Sequence, residues 1–176
     1  VGEQATAVFA DAQEMLAVIL KEKRLDAKGI YGIFQANQVN DDDIELSDEN
    51  GKVLDKFLTL RQQSQKTKGA PNIALSDFIA PKDSGKTDYM GAFCVATGFG
   101  VDEWAAEFEK DLDDYNAIMV KAMADRLAEA FAEYLHEKVR KEIWGYSADE
   151  SLSTEDMIAE TYKGIRPAPG YPACPD

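Results

Sequence analysis

The hydrophobic positions at the start of the chain recur every three or four residues. Between residues 3 and 23 they form one stripe, made of Val8, Phe9, Ala12, Leu16, Ile19 and Leu20. This spacing predicts an amphipathic helix, because 3.6 residues per turn bring such positions onto one face. The basic run 21–24 and the glycine at position 29 mark its end.

The pattern then changes to that of extended strands. We expect "GIYGIF" (29–34) to form a strand and "NQVNDDD" (37–43) to form a loop. The segments "IEL" (44–46) and "VLDKFLTL" (53–60) predict two strands joined by a turn at "DENG" (48–51).

The apolar run "YMGAFCVAT" (89–97) predicts a buried strand in which Cys94 is a core thiol. Two motifs that flank it resemble phosphate-binding loops. "SGKT" (84–87) lacks the first glycine of the complete motif, and "ATGFGVDEW" (96–104) has an acidic residue in place of the third glycine. A strand follows "SGKT", so no helix start faces a phosphate there, and the acidic residues at the helix start after "ATGFG" would repel one. Both motifs therefore predict turns and not nucleotide sites.

Helical spacing returns from residue 102 to residue 144. One helix of this length would be about 64 Å long, whereas a compact domain of this size is only about 40 Å across. We therefore predict a break at "DLDD" (111–114), followed by one long helix. "SLSTED" (151–156) has the pattern of a helix cap and predicts a last short helix that ends near Tyr162.

These elements predict an α+β fold in which a mostly antiparallel, twisted sheet is covered by helices, one of them long. The 176 residues are expected to form a single domain over residues 1–176. Because the chain starts at Val1 and not at methionine, we expect it to be a piece of a longer polypeptide.

The composition narrows the classes of function. Acidic residues outnumber basic ones by 33 to 19, which gives a formal net charge of −14 and disfavours nucleic acid and anionic membranes as partners. No apolar run approaches the roughly 20 residues that span a bilayer.

Cys94 and Cys174, which have no short spacing, are typical of a reduced, cytoplasmic protein. The single histidine, His136, lacks the partners of a metal site or a catalytic triad and is expected at the surface or in helix packing.

The chain ends in a proline-rich strip, "GIRPAPGYPACPD" (164–176), which holds four of the six prolines. Proline fixes its own φ and drives the preceding residue toward extended conformations, so we expect a stiff ribbon that is not an interior strand. The N–H groups between residues 168 and 174 are expected to point outward, and Arg166 can hold a carboxylate with two hydrogen bonds. Composition alone also allows a tether that packs along the domain, with Arg166 in an ion pair.

The strip resembles the Arg-x-x-x-Gly-Tyr motif of the activation domain of cobalamin-dependent methionine synthase, with Arg166, Gly170 and Tyr171 at the motif positions. Three further segments are similar to that family and occur in the same order: "LRQQSQKT" (60–67), "DFIAPKDSGKTDYMGAF" (77–93) and "DDYNAIMVKAMADRLAEAFAEYLHEKVRKEIWGY" (113–146). The resemblance therefore covers nearly the whole chain.

The resemblance implies a reactivation module that binds S-adenosylmethionine. When cobalamin, carried by another module, is oxidised to inactive cob(II)alamin, flavodoxin or a flavoprotein reductase supplies an electron. S-adenosylmethionine then methylates the cobalt and restores methylcobalamin. Such a chain is part of a methyltransferase of methionine biosynthesis, and it is expected to contribute neither a catalytic residue nor a metal ligand.

The resemblance also implies which residues line the ligand site. These are Arg166, Pro167, Ala168, Gly170, Tyr171 and Ala173 in the strip, together with Glu129 and Glu160. Arg166 would hold the carboxylate of the ligand, and Tyr171 would face the corrin. The two glutamates match acidic positions of the family, where they would stabilise the sulfonium and the ammonium. Either of them can instead be a solvated surface residue.

The chain departs from the family at both ends. The family's site also uses an aspartate that precedes Val1 and a tyrosine that follows Asp176, so we expect the domain to be truncated on both sides.

An acidic flavodoxin would need a local basic patch, for which Lys138, Arg140 and Lys141 are the candidates. The alternative function is a non-catalytic interaction domain that docks on a cobalamin-binding module or a flavoprotein reductase and binds no small molecule.

Overall fold

In a computed structural model, which describes residues 2–175, the chain combines a four-stranded sheet with α-helices. Val1 and Asp176 lie outside the described residues. The helices are α1 (Glu3–Glu22), α2 (Val101–Lys110), α3 (Asp114–Lys138) and α4 (Thr154–Ile158). The strands are β1 (Asp26–Val39), β2 (Asp43–Ser47), β3 (Val53–Leu58) and β4 (Asp88–Phe99). Two short 3-10 helices span Leu75–Phe78 and Lys82–Ser84, and α3 continues into a π-helical turn at Val139–Ile143.

The strands lie in the order β3-β2-β1-β4. The β1–β2 and β2–β3 pairs are antiparallel, with Val39 opposite Asp43 and Asp43 opposite Leu58. This arrangement, with the 25-residue α3, confirms the α+β prediction. Strand β1 is longer than predicted: residues 37–39, assigned to a loop from the sequence, continue the strand because they pair with β2.

The chain divides into two compact units. The first comprises Val1–Ile30 and Cys94–Lys163, and the second comprises Tyr31–Phe93 and Gly164–Asp176. In the first unit, helices α1, α2 and α3 bury one cluster made of Met15, Ile19, Trp104, Ala105, Ala117, Met119 and Val120. The stripe predicted for α1 is buried only in part, since Phe9 and Leu20 remain exposed.

The core of the second unit lies on β1 and β2. Ala36, Ile44 and Leu46 are its buried residues, and Phe34, Phe57, Ile79 and Met90 pack against them. Ala36 and Leu46 are directly opposite one another in the β1–β2 pair, so side chains from one face of the sheet form this core.

The helix boundaries follow the local signals in the sequence. The predicted break is confirmed: α2 ends at Lys110, Leu112 has a left-handed backbone (φ 59°), and the Asp113 carboxylate caps α3 by accepting the N–H of Asn116 at 3.1 Å. At α4, Ser153 and Asp156 form the predicted capping box, although that helix ends at Ile158, before Tyr162.

Strand β4 corrects one expectation. Cys94 is exposed, and Thr97 is the buried residue among the twelve of this strand. The apolar run does form a strand, but β4 stands at the edge of the sheet order, where apolar composition does not ensure burial.

Both phosphate-loop-like motifs are turns, as predicted. The 3-10 helix Lys82–Ser84 ends on the first residue of "SGKT" and is followed by Gly85 (φ 68°), and "ATGFG" runs from the end of β4 into a turn at Gly100 (φ 94°), the residue before α2. Asp102 and Glu103 occupy the first turn of α2. Between residues 2 and 175, no helix has the length and apolar character needed to cross a bilayer.

Candidate functional site

The proline-rich strip forms a turn that closes on itself within the second unit. The N–H of Gly170 donates to the carbonyl oxygen of Cys174 at 2.7 Å, and the N–H of Cys174 donates to that of Tyr171 at 2.8 Å. Gly170 has φ +85°, a left-handed conformation that favours glycine. The strip is therefore not extended throughout, and the N–H groups of Gly170 and Cys174 do not point outward as predicted.

A neighbouring segment holds the strip from outside. The N–H of Leu60, just after β3, donates to the carbonyl oxygen of Ala173 at 3.1 Å. Cys174 is buried, at 5% exposure, so the last turn of the strip packs against its own unit.

The strip residues named from the sequence differ in exposure. Pro167, Ala168, Gly170 and Ala173 are exposed, and the ring of Tyr171 is 68% exposed. Arg166 is partly buried, and its Nε atom is shielded from solvent. The second unit thus places a partly buried guanidinium and an accessible aromatic ring on one short segment, a combination that suits a ligand with a carboxylate and a flat ring.

The two predicted glutamates belong to the first unit. Glu129 lies on the exposed side of α3 and forms an ion pair with Arg126 at 3.1 Å, with both side chains more than two thirds exposed. Glu160 is exposed and follows α4 with a left-handed backbone (φ 54°), which its N–H stabilises by donating to Met157 at 3.1 Å. Their role at the ligand stays a prediction.

The predicted basic patch at the end of α3 is wrong. Arg140 is only 1% exposed and is bound to Glu150, because three of its guanidinium hydrogen bonds go to that carboxylate. Lys138 and Lys141 are neutralised along the helix by acids four residues away, at 3.3 and 3.4 Å. These three residues do not form a positive surface.

Sequence reasoning missed Arg61, which lies in the second unit beside the segment that holds the strip. Its guanidinium donates to both carboxylate oxygens of Asp77, at 2.7 and 2.8 Å, and to Asp42 at 2.8 Å. Hydrogen bonds from Arg61, and then from the N–H of Ala74, lower the pKa of Asp77 to about 2. Spacing in the sequence gives no signal for this cluster, because Asp42 and Asp77 lie 19 and 16 positions away from Arg61 along the chain.

Comparison with known proteins places these features in context. The family model "Vitamin B12 dependent methionine synthase, activation domain" matches residues 1–176. A crystal structure described as the MetH reactivation domain bound to AdoHcy is 56% identical in sequence, with a TM-score of 0.90. The match covers 99% of this chain and 54% of that one, so this chain spans about half the length of the solved structure.

Proposed function

Because this chain belongs to the activation-domain family of vitamin B12-dependent methionine synthase, a methyltransferase, we propose that it binds S-adenosylmethionine and supports reductive reactivation of the cobalamin. The strip 164–175 carries this proposal, since it presents a partly buried guanidinium and an exposed tyrosine on a closed turn. The 56% identical structure was solved with AdoHcy, the product that S-adenosylmethionine leaves after methyl transfer.

The strip residues fit a ligand of this kind. Arg166 can bind the carboxylate of the amino-acid end in a bidentate manner, and the shielding of its Nε from solvent strengthens such a contact. Gly170 keeps the backbone free of a side chain where the ligand approaches, and Tyr171 offers a ring face. The proposed lining is completed by Pro167, Ala168 and Ala173.

In this proposal the chain binds and orients S-adenosylmethionine, and the bound ligand supplies the chemistry. Bound S-adenosylmethionine supplies a methyl group from its sulfonium to a cobalamin carried by another module of the same enzyme. That cobalamin would accept the methyl group after one-electron reduction by flavodoxin or a flavoprotein reductase. The residues of the strip hold the sulfonium in one place, which raises the effective concentration of the methyl donor.

Calorimetry with S-adenosylmethionine on the complete polypeptide tests the proposal. Replacing Arg166 by alanine removes a charged hydrogen bond, which is worth about 1.5–3 kcal/mol, and should weaken binding by about 10- to 150-fold. Arg24→Ala is the matched control, because Arg24 also binds carboxylates, those of Glu107 and Glu22, but is not among the residues proposed to line the site. Equal affinity of the Arg166→Ala variant and the wild type would remove the ligand assignment and favour a pure docking domain.

The two glutamates need their own test, since neither is tied to the strip by a described contact. We propose that Glu129 and Glu160 stabilise the positive groups of the ligand. Glu129→Gln and Glu160→Gln keep the size of each side chain and remove its charge, and both should weaken binding of S-adenosylmethionine. Because Glu129 pairs with Arg126, an Arg126→Gln variant separates the loss of the ion pair from the loss of a ligand contact.

A further inference from the structure

Arg61 uses its whole hydrogen-bonding capacity to join the connection between β3 and β4, in which it lies, to the loop between β1 and β2. Besides Asp77 and Asp42, the guanidinium donates to the carbonyl oxygens of Asn72 at 2.8 Å and Asp41 at 3.1 Å. With the bonds to the two carboxylates, these contacts engage all five N–H donors of an arginine. A lysine has three donors and no planar fork, so it cannot reproduce this arrangement.

The loop between β1 and β2 depends on these contacts. Asn40 and Asp41 have left-handed backbones, with φ of 50° and 63°, a conformation that residues other than glycine rarely adopt. The carbonyl oxygen of Asp41 also accepts from the hydroxyl of Ser76 at 2.8 Å and the amide of Gln38 at 2.7 Å. An uncommon backbone conformation of this kind persists only where neighbouring groups hold it in place. Arg61 supplies one of the three hydrogen bonds that do so at Asp41.

The same cluster fixes the segment that touches the strip. On one side of Leu60, the hydroxyl of Thr59 donates to the carbonyl oxygen of Asp42 at 2.5 Å, and on the other side Arg61 binds the carboxylate of Asp42. Leu60 is thus held through both its chain neighbours, and its N–H donates to Ala173. The hydrogen bond from Leu60 to Ala173 thus connects the segment that Arg61 orders with the turn that carries Gly170 and Tyr171.

We propose that Arg61 is a positioning residue for the ligand-binding strip: it orders residues 59–61 so that the Leu60 N–H holds Ala173, and through it the turn, in the binding-competent place. This inference rests on the proposed function. Without the guanidinium, the strip has to be ordered when the ligand binds, and ordering about one backbone residue corresponds to a loss of affinity of roughly 5- to 30-fold.

The test compares Arg61→Lys with Arg24→Lys in the complete polypeptide. Arg24 is the matched control, since its side chain is 37% exposed against 30% for Arg61 and it also forms a two-bond contact with a carboxylate, that of Glu107. Calorimetry well below the unfolding midpoint measures affinity for S-adenosylmethionine, and hydrogen exchange read by mass spectrometry measures protection of residues 59–62 and 168–175.

We expect Arg61→Lys to weaken binding by about 5- to 30-fold and to speed exchange in both segments, while Arg24→Lys changes neither. A merely stabilising role of Arg61 would lower the unfolding midpoint and leave affinity and strip exchange of the folded protein unchanged, which overturns the proposal. Weaker binding with unchanged exchange in 168–175 also overturns it.

The exchange measurement keeps this proposal separate from the proposed function. If the wild type does not bind S-adenosylmethionine, the function fails, while faster exchange of residues 168–175 in Arg61→Lys still establishes the positioning. If Arg61→Lys does not fold, Asp77→Asn replaces it, because an amide keeps one acceptor for the guanidinium. That milder variant should show the same two changes, to a smaller degree.

Discussion

Replacing Glu150 by glutamine tests how far one buried ion pair stabilises the end of the long helix. In the first unit, Arg140 is 1% exposed and donates to the Glu150 carboxylate at distances between 2.6 and 3.1 Å. Its Nη1 lies 2.9 Å from Nδ1 of His136, and its guanidinium lies 4.4 Å from the ring centre of Tyr162. The pair therefore connects the π-helical turn with the chain that follows it.

The expected magnitude comes from the burial of both partners, whose side chains are 1% and 8% exposed. Breaking a buried pair by removing one partner costs about 3–5 kcal/mol, because the other charge stays buried without compensation. A glutamine oxygen still accepts one hydrogen bond, so we expect about 3 kcal/mol. At about 2–4 °C per kcal/mol for a protein of this size, the unfolding midpoint falls by about 6–12 °C.

Urea unfolding followed by circular dichroism at neutral pH measures this loss. Glu142→Gln is the matched control, since Glu142 is 65% exposed and pairs with Lys138 at 3.3 Å on the same helical stretch. Exposed pairs of this kind contribute little, so the control should change stability by less than about 0.5 kcal/mol. Similar losses in the two variants would refute the claim that burial makes the Glu150 pair important.

Two further measurements separate charge from packing. A double variant, Arg140→Met with Glu150→Leu, replaces both charges by apolar groups and should regain most of the lost stability. Hydrogen bonds from Arg140 lower the pKa of Glu150. The contribution of Glu150 to the stability of the fold is therefore complete above the ordinary pKa of glutamate and is lost as the pH falls through the lowered pKa. Glu150→Gln should remove that acid sensitivity.

Three other results are expected. Asp77→Asn should flatten the loss of stability between about pH 4 and pH 2, because the contribution of the wild-type carboxylate is lost progressively as the pH falls from its ordinary pKa through the lowered pKa of about 2; acid unfolding curves check this. Gly100→Ala should lower the free energy of unfolding by about 2–4 kcal/mol, because the residue has φ 94° and a Cβ there would lie 2.6 Å from a backbone oxygen. Gly98→Ala, where a Cβ would meet open space, should be tolerated. A thiol reagent should label Cys94 quickly and Cys174 only on unfolding, as mass spectrometry would show.

Local signals in the sequence predicted the local structure well. The cap at Ser153, the break before Asp114 and the turns at Gly85 and Gly100 depend on neighbouring residues, and each was found where the sequence indicated. These features are determined within a few residues, so composition and spacing are sufficient to find them.

Features that depend on distant partners could not be predicted in the same way. Arg140 looked like part of a basic surface, but it is buried because Glu150 folds back onto it. Cys94 looked like a core thiol, but the edge position of β4 leaves it exposed. Arg61 carried no signal at all, since the acids that bind it come from loops around Asp42 and Asp77. In each case tertiary contacts, which periodicity does not report, decided the outcome.

The closed turn in the strip has a consequence for the order of folding. Its two hydrogen bonds link residues only three or four positions apart, and such short loops close in well under a microsecond. The hydrogen bond from Leu60 to Ala173 joins residues that are far apart in sequence. Because closing such a long loop costs more chain entropy, we expect this bond to form late, when the sheet is already assembled. During refolding of the complete chain, the strip would thus form its bend before it forms its contact with the segment that follows β3.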